Sequence, residues 1–278
     1  MKQFQSSCDV PVSVTKMNIL NHNKKAWNSL VEKNDRWTRP VSSAEIERAR
    51  NGEFSLGLTP TKRVPSHWFP PLSGLKVLCL ASGGGQQGPI LSAAGAEVTV
   101  FDNSPRQLQQ DRNVAEREGL SIRTIEGDMA DLSCFEDSCF EFIFHPASNC
   151  FAENVSKVWS EAYRVLKPGG TLVAGQVNPI PYLFNPDLEK KGIFQLKYGM
   201  PYSDAASLAQ DELQGLIEAQ EPLMFAHSLE DLIGGQIAVG FRLIGFYEDN
   251  WGGQEPIDQY LMSSFATRAE KPANELSK

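Results

Sequence analysis

The chain has 278 residues, of which 41% are hydrophobic and 22% charged, with a formal net charge of −8. That length accommodates one large domain, or one domain carrying a substantial cap. An acidic balance without a dense Lys/Arg cluster speaks against a nucleic-acid partner, whose phosphates need a basic face, and no window approaches the ~18 uninterrupted apolar residues of a membrane-spanning helix.

Residues 1 to about 20 show little periodicity and no continuous apolar run of the secretory type. The stretch NKKAWNSLVEKNDRW then sets Trp27, Leu30 and Val31 on one helical face, and Pro40, Pro60, Pro65, Pro70 and Pro71 punctuate an irregular segment. Residues 1–72 therefore read as a helical lead-in and part of a lid. From Lys76 strands and helices alternate. KVLCL is a buried strand, QQGPILSAAG a helix closed by Gly95, and EVTVFD a second strand ending on Asp102. Ser104, Pro105 and Gln107 supply an N-cap, an N1 proline and a capping-box glutamine for a helix running to Gly119. SIRTIEGD and FEFIFH are the third and fourth strands. NVSKVWSEAYRVL spaces Val155, Val158, Trp159, Ala162, Val165 and Leu166 by three and four, KPGG stops that helix, and TLVAGQV is the fifth strand. Such alternation predicts right-handed βαβ units on a parallel sheet, with residues 73–178 as its core. After Val177 the pattern breaks. Residues 179–226, rich in proline and offering a strand pair in IFQLKYGMPYS, read as an inserted cap. Residues 227–278 complete the sheet, with a helix capped by Ser228 and ended by Gly240, then strands FRLIGFYED and SSFATRAEK.

Five cysteines, Cys8, Cys79, Cys134, Cys139 and Cys150, form no C-x-x-C pair and no metal-ligand spacing. They predict reduced thiols in a cytoplasmic protein, with neither a disulfide frame nor a metal.

Ligands on parallel sheets bind at the carboxyl ends of the strands. Gly83, Asp102, Asp128 and His145 end four strands and so converge on one edge. In VLCLASGGGQQGPIL, Gly83, Gly85 and Gly88 fit G-x-G-x-x-G, which suits a dinucleotide or a cofactor without phosphate. Asp102 can accept both hydroxyls of a ribose in either case. In EGDMADL, Asp128 would accept from an adenine amine, while Met129 donates its amide to a ring nitrogen and packs on the ring. A nicotinamide dinucleotide has no general need for an acid there.

VLCLASGGGQQG, VTVFDNS, EGDMADL and VLKPGGTLV, in this order and spacing, resemble class I S-adenosylmethionine-dependent methyltransferases, above all the small-molecule subgroup labelled methyltransferase type 11. The likeness covers about residues 75–178, and GFRLIGFYED and SSFATRAEK match that fold's closing strands. It implies an α/β fold: a seven-stranded, mostly parallel, Rossmann-like sheet with helices on both faces, in order 3-2-1-4-5-7-6 with strand 7 antiparallel, plus a cap. It implies S-adenosyl-L-methionine as cofactor, held by Ala81, Ser82, Gly83, Gly85, Asp102, Asn103, Asp128, Met129 and His145, and a small-molecule acceptor. The glycines would then let the backbone approach sugar and methionine, there being no pyrophosphate to bind. One departure stands out. In D-x-G-x-G-x-G the family carries an acid where this chain has Cys79, and a glycine where it has Ala81. Ser82, Lys62 and Arg63 are candidates to replace that acid.

In this family the segment HPASNCF faces the reactive sulfonium. His145 is therefore either a general base titrating near neutrality or a packing histidine. His227 either lines the substrate side or supports a helix entry. These two are the catalytic candidates, and Asn149, Tyr198 and His227 the substrate contacts; Trp27, Trp37 and Tyr198 are lid contacts or core. NPIPY, from Asn178 to Tyr182, resembles the N-P-P-Y of amino-group methyltransferases but has an extra isoleucine and follows the fifth strand, so it reads as a loop. In-line methyl transfer needs alignment and exclusion of water, and a base only where the nucleophile still holds its proton. An NAD-dependent oxidoreductase is the rival enzyme, explaining the glycines and Asp102 but not EGDM with LKPGG. A non-catalytic S-adenosylmethionine-binding protein is the rival of another class, motivated by Cys79. Acceptor atom and oligomeric state are left open.

Overall fold

The computed structural model describes residues 17–273. Most of the weakly patterned N-terminus, with Cys8, lies outside the described residues. Helix α1 (Ile19–Glu32) and helix α2 (Ser43–Arg50) precede the sheet. The core follows as β1 (Lys76–Leu80), α3 (Gln87–Ala93), β2 (Glu97–Asp102), α4 (Pro105–Glu118), β3 (Ile122–Glu126), β4 (Phe140–His145), α5 (Val155–Val165) and β5 (Leu166–Val177). Strands β6 (Arg242–Asp249) and β7 (Ser264–Glu270) close the sheet. Its order is β3-β2-β1-β4-β5-β7-β6, the arrangement expected from the resemblance. Strands β1 to β5 are parallel, and β7 runs antiparallel to both its neighbours.

The two-residue period of the strands divides the core. Val77, Cys79, Phe142 and Phe144 face one side, buried with Ile90, Leu91, Leu108 and Val114 of α3 and α4. Leu78, Leu80 and Ile143 face the other, buried with Val158, Trp159 and Ala162 of α5. Burial on both faces is why β1 reads as a nearly continuous apolar run and β4 as one broken only by Glu141 before it ends on His145. The N-terminal segment belongs to the first of these layers: Ile46, Leu56, Leu58, Val64 and Trp68 share its buried cluster.

Four local expectations are corrected. KPGG does not separate helix from strand. Leu166 already pairs with Phe140, and Lys167–Gly170 bulge out before Thr171 pairs with Phe142. Ser104 caps α4 through the Gln107 amide at 3.1 Å, but Gln107 does not close the box, its side-chain oxygen being buried without a hydrogen-bond partner. IFQLKYGMPYS does not pair with itself: Leu196 bridges to Phe184, and Tyr202–Ser203 pair with Phe225–Ala226. On α1 the buried row is Asn23, Ala26 and Ser29. Asn23 is polar there because it fastens two distant segments. Its amide donates to Leu223 O at 2.9 Å and its oxygen accepts from Leu223 N at 2.8 Å.

A second fastening joins residues 59–62 to the end of β6. The Asp249 carboxylate accepts from the Thr59 hydroxyl at 2.7 Å, from the amides of Thr61 and Lys62 at 2.8 Å each, and from the Thr61 hydroxyl. Burial alone would push this carboxyl up, but the bonds from the Lys62 amide, Thr61 and Thr59 outweigh it and hold it below its ordinary value. A depressed pKa contributes stability that is present above the unfolded value of ~3.9 and is lost as pH falls through the folded value. Asp249→Asn is therefore expected to cost about 1–3 kcal/mol at neutral pH. The gap from the parent should close as pH falls below ~4. Urea unfolding at a series of pH values checks both, and a gap independent of pH would refute the assignment. Among the described residues no helix is long and apolar enough to cross a membrane.

Candidate functional site

A cavity of about 500 Å³ opens at the carboxyl ends of β1, β2 and β3. The loop after β1 forms one wall. Ala81 has φ 47°, a left-handed conformation that costs an alanine, and its amide donates to Phe101 O at 2.8 Å. This is where the resemblance places a glycine. Ala81→Gly is expected to relieve the strain and, after the added chain entropy of glycine, to leave stability unchanged or raise it by up to ~1 kcal/mol. A loss of stability in thermal unfolding would show that the alanine methyl is needed for packing.

The next residues are held by acids. Gly83 donates its amide to Asp102 Oδ2 at 2.9 Å, and Asp102 Oδ1 accepts from Ser104 N at 2.9 Å. A Cβ on Gly83 would stand 2.8 Å from Gln107 Cβ and 3.1 Å from the Asp102 carboxyl. The glycine thus keeps the loop against β2. Gly84, with φ 116°, donates to Asp111 Oδ2 at 3.0 Å and to Gln107 O at 3.1 Å. Burial pushes the Asp102 carboxyl up, against the pull of the Ser104, Gly83 and Asn103 amides. Each carboxylate oxygen keeps lone pairs beyond these bonds, so a ribose diol can still donate to it.

The structure brings Ala81, Ser82, Gly83, Asp102, Asn103, Asp128 and Met129 together on the cavity wall. Asn103 also donates to Leu20 O at 3.0 Å, tying α1 to the site. Asp128 Oδ1 accepts from Ala130 N at 3.0 Å in a local turn. Between them Gly127 is bare for a steric reason: a Cβ there would lie 2.1 Å from Phe101 Cζ, and Phe101 lines the cavity.

Other expected residues stand elsewhere. Gly85 lies behind the loop, where its carbonyl accepts from Val41 N at 2.9 Å and a Cβ would meet Gln110 O at 3.0 Å. His145 is fully buried and does not reach the cavity. It turns toward the α5 layer, edge-on to Trp159, with Nδ1 2.8 Å from Leu80 O and Nε2 3.0 Å from Asn149 Oδ1. Burial lowers its pKa, which favours the neutral ring. Asn149 passes its amide on to Gln176 Oε1 at 3.0 Å. His227 Nε2 lies 2.9 Å from Ala152 O and 3.2 Å from Asn149 O, supporting the segment before its helix. Tyr198 packs on Tyr202 in the cap. None of His145, Asn149, Tyr198 and His227 lines the cavity. Of the replacements suggested for the missing acid, only Ser82 stands in the loop. Lys62 donates to Glu248 O at 2.5 Å, neither Lys62 nor Arg63 lines the cavity, and Ser82 bonds Gln87.

Part of the wall is aromatic: Trp27, Trp37, Phe151 and Trp251, with Leu30 and Met224. Trp27 and Trp37, expected as lid contacts or core, both line the cavity. Trp251 follows β6 and carried no local signal; it meets Trp37 at 6.0 Å, and the Arg36 guanidinium lies 4.6 Å and 4.9 Å from the two ring centres. The ionisable side chains on the wall are four carboxylates, Asp35, Asp102, Asp128 and Glu221, and the Cys150 thiol, which burial pushes up to about 12; no Lys, Arg or His lines it. An acid at the end of β2 with a spare diol-accepting edge, a second acid after β3, and a surplus of negative charge suit a ribose-bearing cation, as S-adenosylmethionine is.

Comparison with known proteins agrees. A family model for a methyltransferase domain matches residues 78–174. The chain is 53% identical to the uncharacterized methyltransferase YbaJ of Bacillus subtilis, over 91% of its own length and 98% of that protein. It is 34% identical to the sterol 24-C-methyltransferase ERG6A of Gibberella zeae over 38% of its length and 28% of that protein. The crystal structure of an S-adenosylmethionine dependent methyltransferase from Mesorhizobium loti superposes with a TM-score of 0.57 at 16% identity, covering 73% of this chain and 94% of that one.

Proposed function

This chain belongs to the S-adenosylmethionine-dependent methyltransferases, and we propose that its acceptor is a small, largely apolar molecule that carries no negative charge. The make-up of the cavity wall supports this most directly. No cationic side chain lines the cavity with its four carboxylates, and the Arg36 guanidinium stands on the rings of Trp37 and Trp251. An anionic acceptor would bring like charge into a low-dielectric space, where repulsion is strong. The aromatic wall suits an apolar body, and the partial likeness to a sterol methyltransferase points the same way.

The cofactor supplies a methyl group on a positively charged sulfur, open to in-line displacement. Asp102 is assigned to its ribose, Asp128 and Met129 to its adenine, and Ala81, Ser82 and Gly83 to backbone contacts along it. Trp27, Trp37, Phe151 and Trp251 exclude water and position the acceptor. With His145 and His227 turned away from the cavity, neither supplies a base. A neutral amine or an electron-rich carbon needs no base at the moment of attack; for an acceptor that does, Asp35 and Glu221 are the wall carboxylates left unassigned to the cofactor. The free thiols at Cys79, Cys134, Cys139 and Cys150 support a reducing compartment such as the cytoplasm.

Calorimetric titration with S-adenosylhomocysteine and with NAD, followed by turnover with radiolabelled cofactor over neutral, cationic and carboxylate-bearing acceptors, tests the reading. At ~100 times its dissociation constant the bound analogue should stabilise the fold by ~2.7 kcal/mol, and NAD should not. Preferred methylation of carboxylates or phosphates would sink the proposed acceptor class. Binding without turnover of any acceptor would return the non-catalytic alternative.

A further inference from the structure

Helix α4 carries a fully buried aspartate, Asp111, in the row it buries with Leu108, Val114 and Ala115. A carboxyl group at a core position is costly unless it is bonded, and none of the ion pairs among the described residues engages it. What it does meet is the cofactor loop. Asp111 Oδ2 accepts from the Gly84 amide at 3.0 Å. Burial pushes the carboxyl up to about 8, and the Gly85 and Gly84 amides are the main influences pulling it back. Gly88 leaves room beside it: a Cβ there would lie 2.6 Å from Val100 Cγ2 and 3.3 Å from Asp111 Oδ1. Cys79 of β1 is buried in the same layer as Leu108 and Val114 of α4, and burial, then the Asp111 carboxyl, push its thiol well above its ordinary value. Two consecutive loop amides, of Gly83 and Gly84, are thus gripped by carboxyls from different elements, Asp102 on β2 and Asp111 on α4.

We propose that Asp111 is the positioning residue of the cofactor loop, supplying from α4 the acceptor oxygen that the resembling family supplies from the first strand, at the position held here by Cys79. It touches no ligand, since it does not line the cavity; it acts through Gly84. Gly84 keeps a second acceptor in Gln107 O, so loss of Asp111 loosens the loop without unmaking the turn. The inference rests on this loop being the cofactor site.

The test measures S-adenosylhomocysteine affinity by calorimetry and stability by thermal unfolding, on the parent and four variants. Asp111→Ala is expected to weaken binding about tenfold while unfolding remains a single cooperative transition. Cys79→Asp in the Asp111→Ala background should restore affinity to within about threefold of the parent, and Cys79→Ser in that background should not. Asp111→Asn keeps the oxygen and the volume, and carries the test if the alanine variant does not fold: it should bind within about threefold of the parent. The proposal is overturned if Asp111→Ala binds like the parent, if the relocated acid does no better than serine, or if the asparagine variant loses tenfold. A parent that binds no S-adenosylhomocysteine overturns the cofactor site itself, and the inference with it.

Discussion

Asp102→Asn is expected to weaken S-adenosylhomocysteine binding about a hundredfold or more. Two hydrogen bonds from a ribose diol to an ionised carboxylate are worth about 1.5–3 kcal/mol each, and each 1.4 kcal/mol is about tenfold in affinity. The isosteric change does more than remove charge. Asp102 presents an acceptor to Gly83 N with one oxygen and to Ser104 N with the other. An asparagine amide must turn its NH₂ toward one of these donors, so either the glycine loop or the start of α4 is pushed away. Calorimetric titration measures the loss, and an asparagine variant that binds within about threefold of the parent would remove Asp102 from the site.

Gly175→Ala is expected to give the largest loss of stability among single-methyl changes in the sheet. A Cβ at this β5 position would lie 2.1 Å from the backbone oxygen of Leu58 and 2.9 Å from the amide of Ala147, which themselves bond at 3.2 Å. A side chain in the way could swing aside, but two backbone segments cannot. Overpacking costs about 1–3 kcal/mol where side chains can adjust. Here ~3 kcal/mol or more is expected, lowering the unfolding temperature by roughly 6–12 °C. Gly199→Ala, where nothing lies within 4 Å of the added atom, is the control and should be neutral. Equal behaviour of the two variants would mean that residues 57–60 do not sit on β5 in solution.

The sheet was legible because its signals are local and redundant. The central strands are short, largely apolar runs, the turns at their ends carry glycines or acids, and the helix rows repeat at three and four. Asp102 and Asp128 were legible for the same reason, as acids ending strands. Facing at a strand end was not. His145 occupies the expected position, yet the two-residue period turns its ring into the α5 layer, and Asn149 follows it. Gln107 satisfied the capping pattern, but its side chain is buried behind the glycine loop. Trp251 reaches the cavity only because β6 and β7 bring their connection to the same edge. Asp111 sits in a helix row that looks like core; only its distance to Gly84 shows what it holds.

The cavity is stitched together by bonds between the two ends of the chain. Asn23 grips Leu223 across 200 positions, and Thr59 grips Asp249 across 190. Contacts of such separation form late, because the loop they close must be ordered before they are rewarded. A nascent chain can therefore complete β1 to β5 with its glycine turn before Trp251, the last residue of the aromatic wall, has been made. Closure over the acceptor then marks the end of folding: a ribosome-bound chain lacking the last fifty residues holds every residue assigned to the cofactor but neither Asp249 nor Trp251, and should not yet enclose an acceptor.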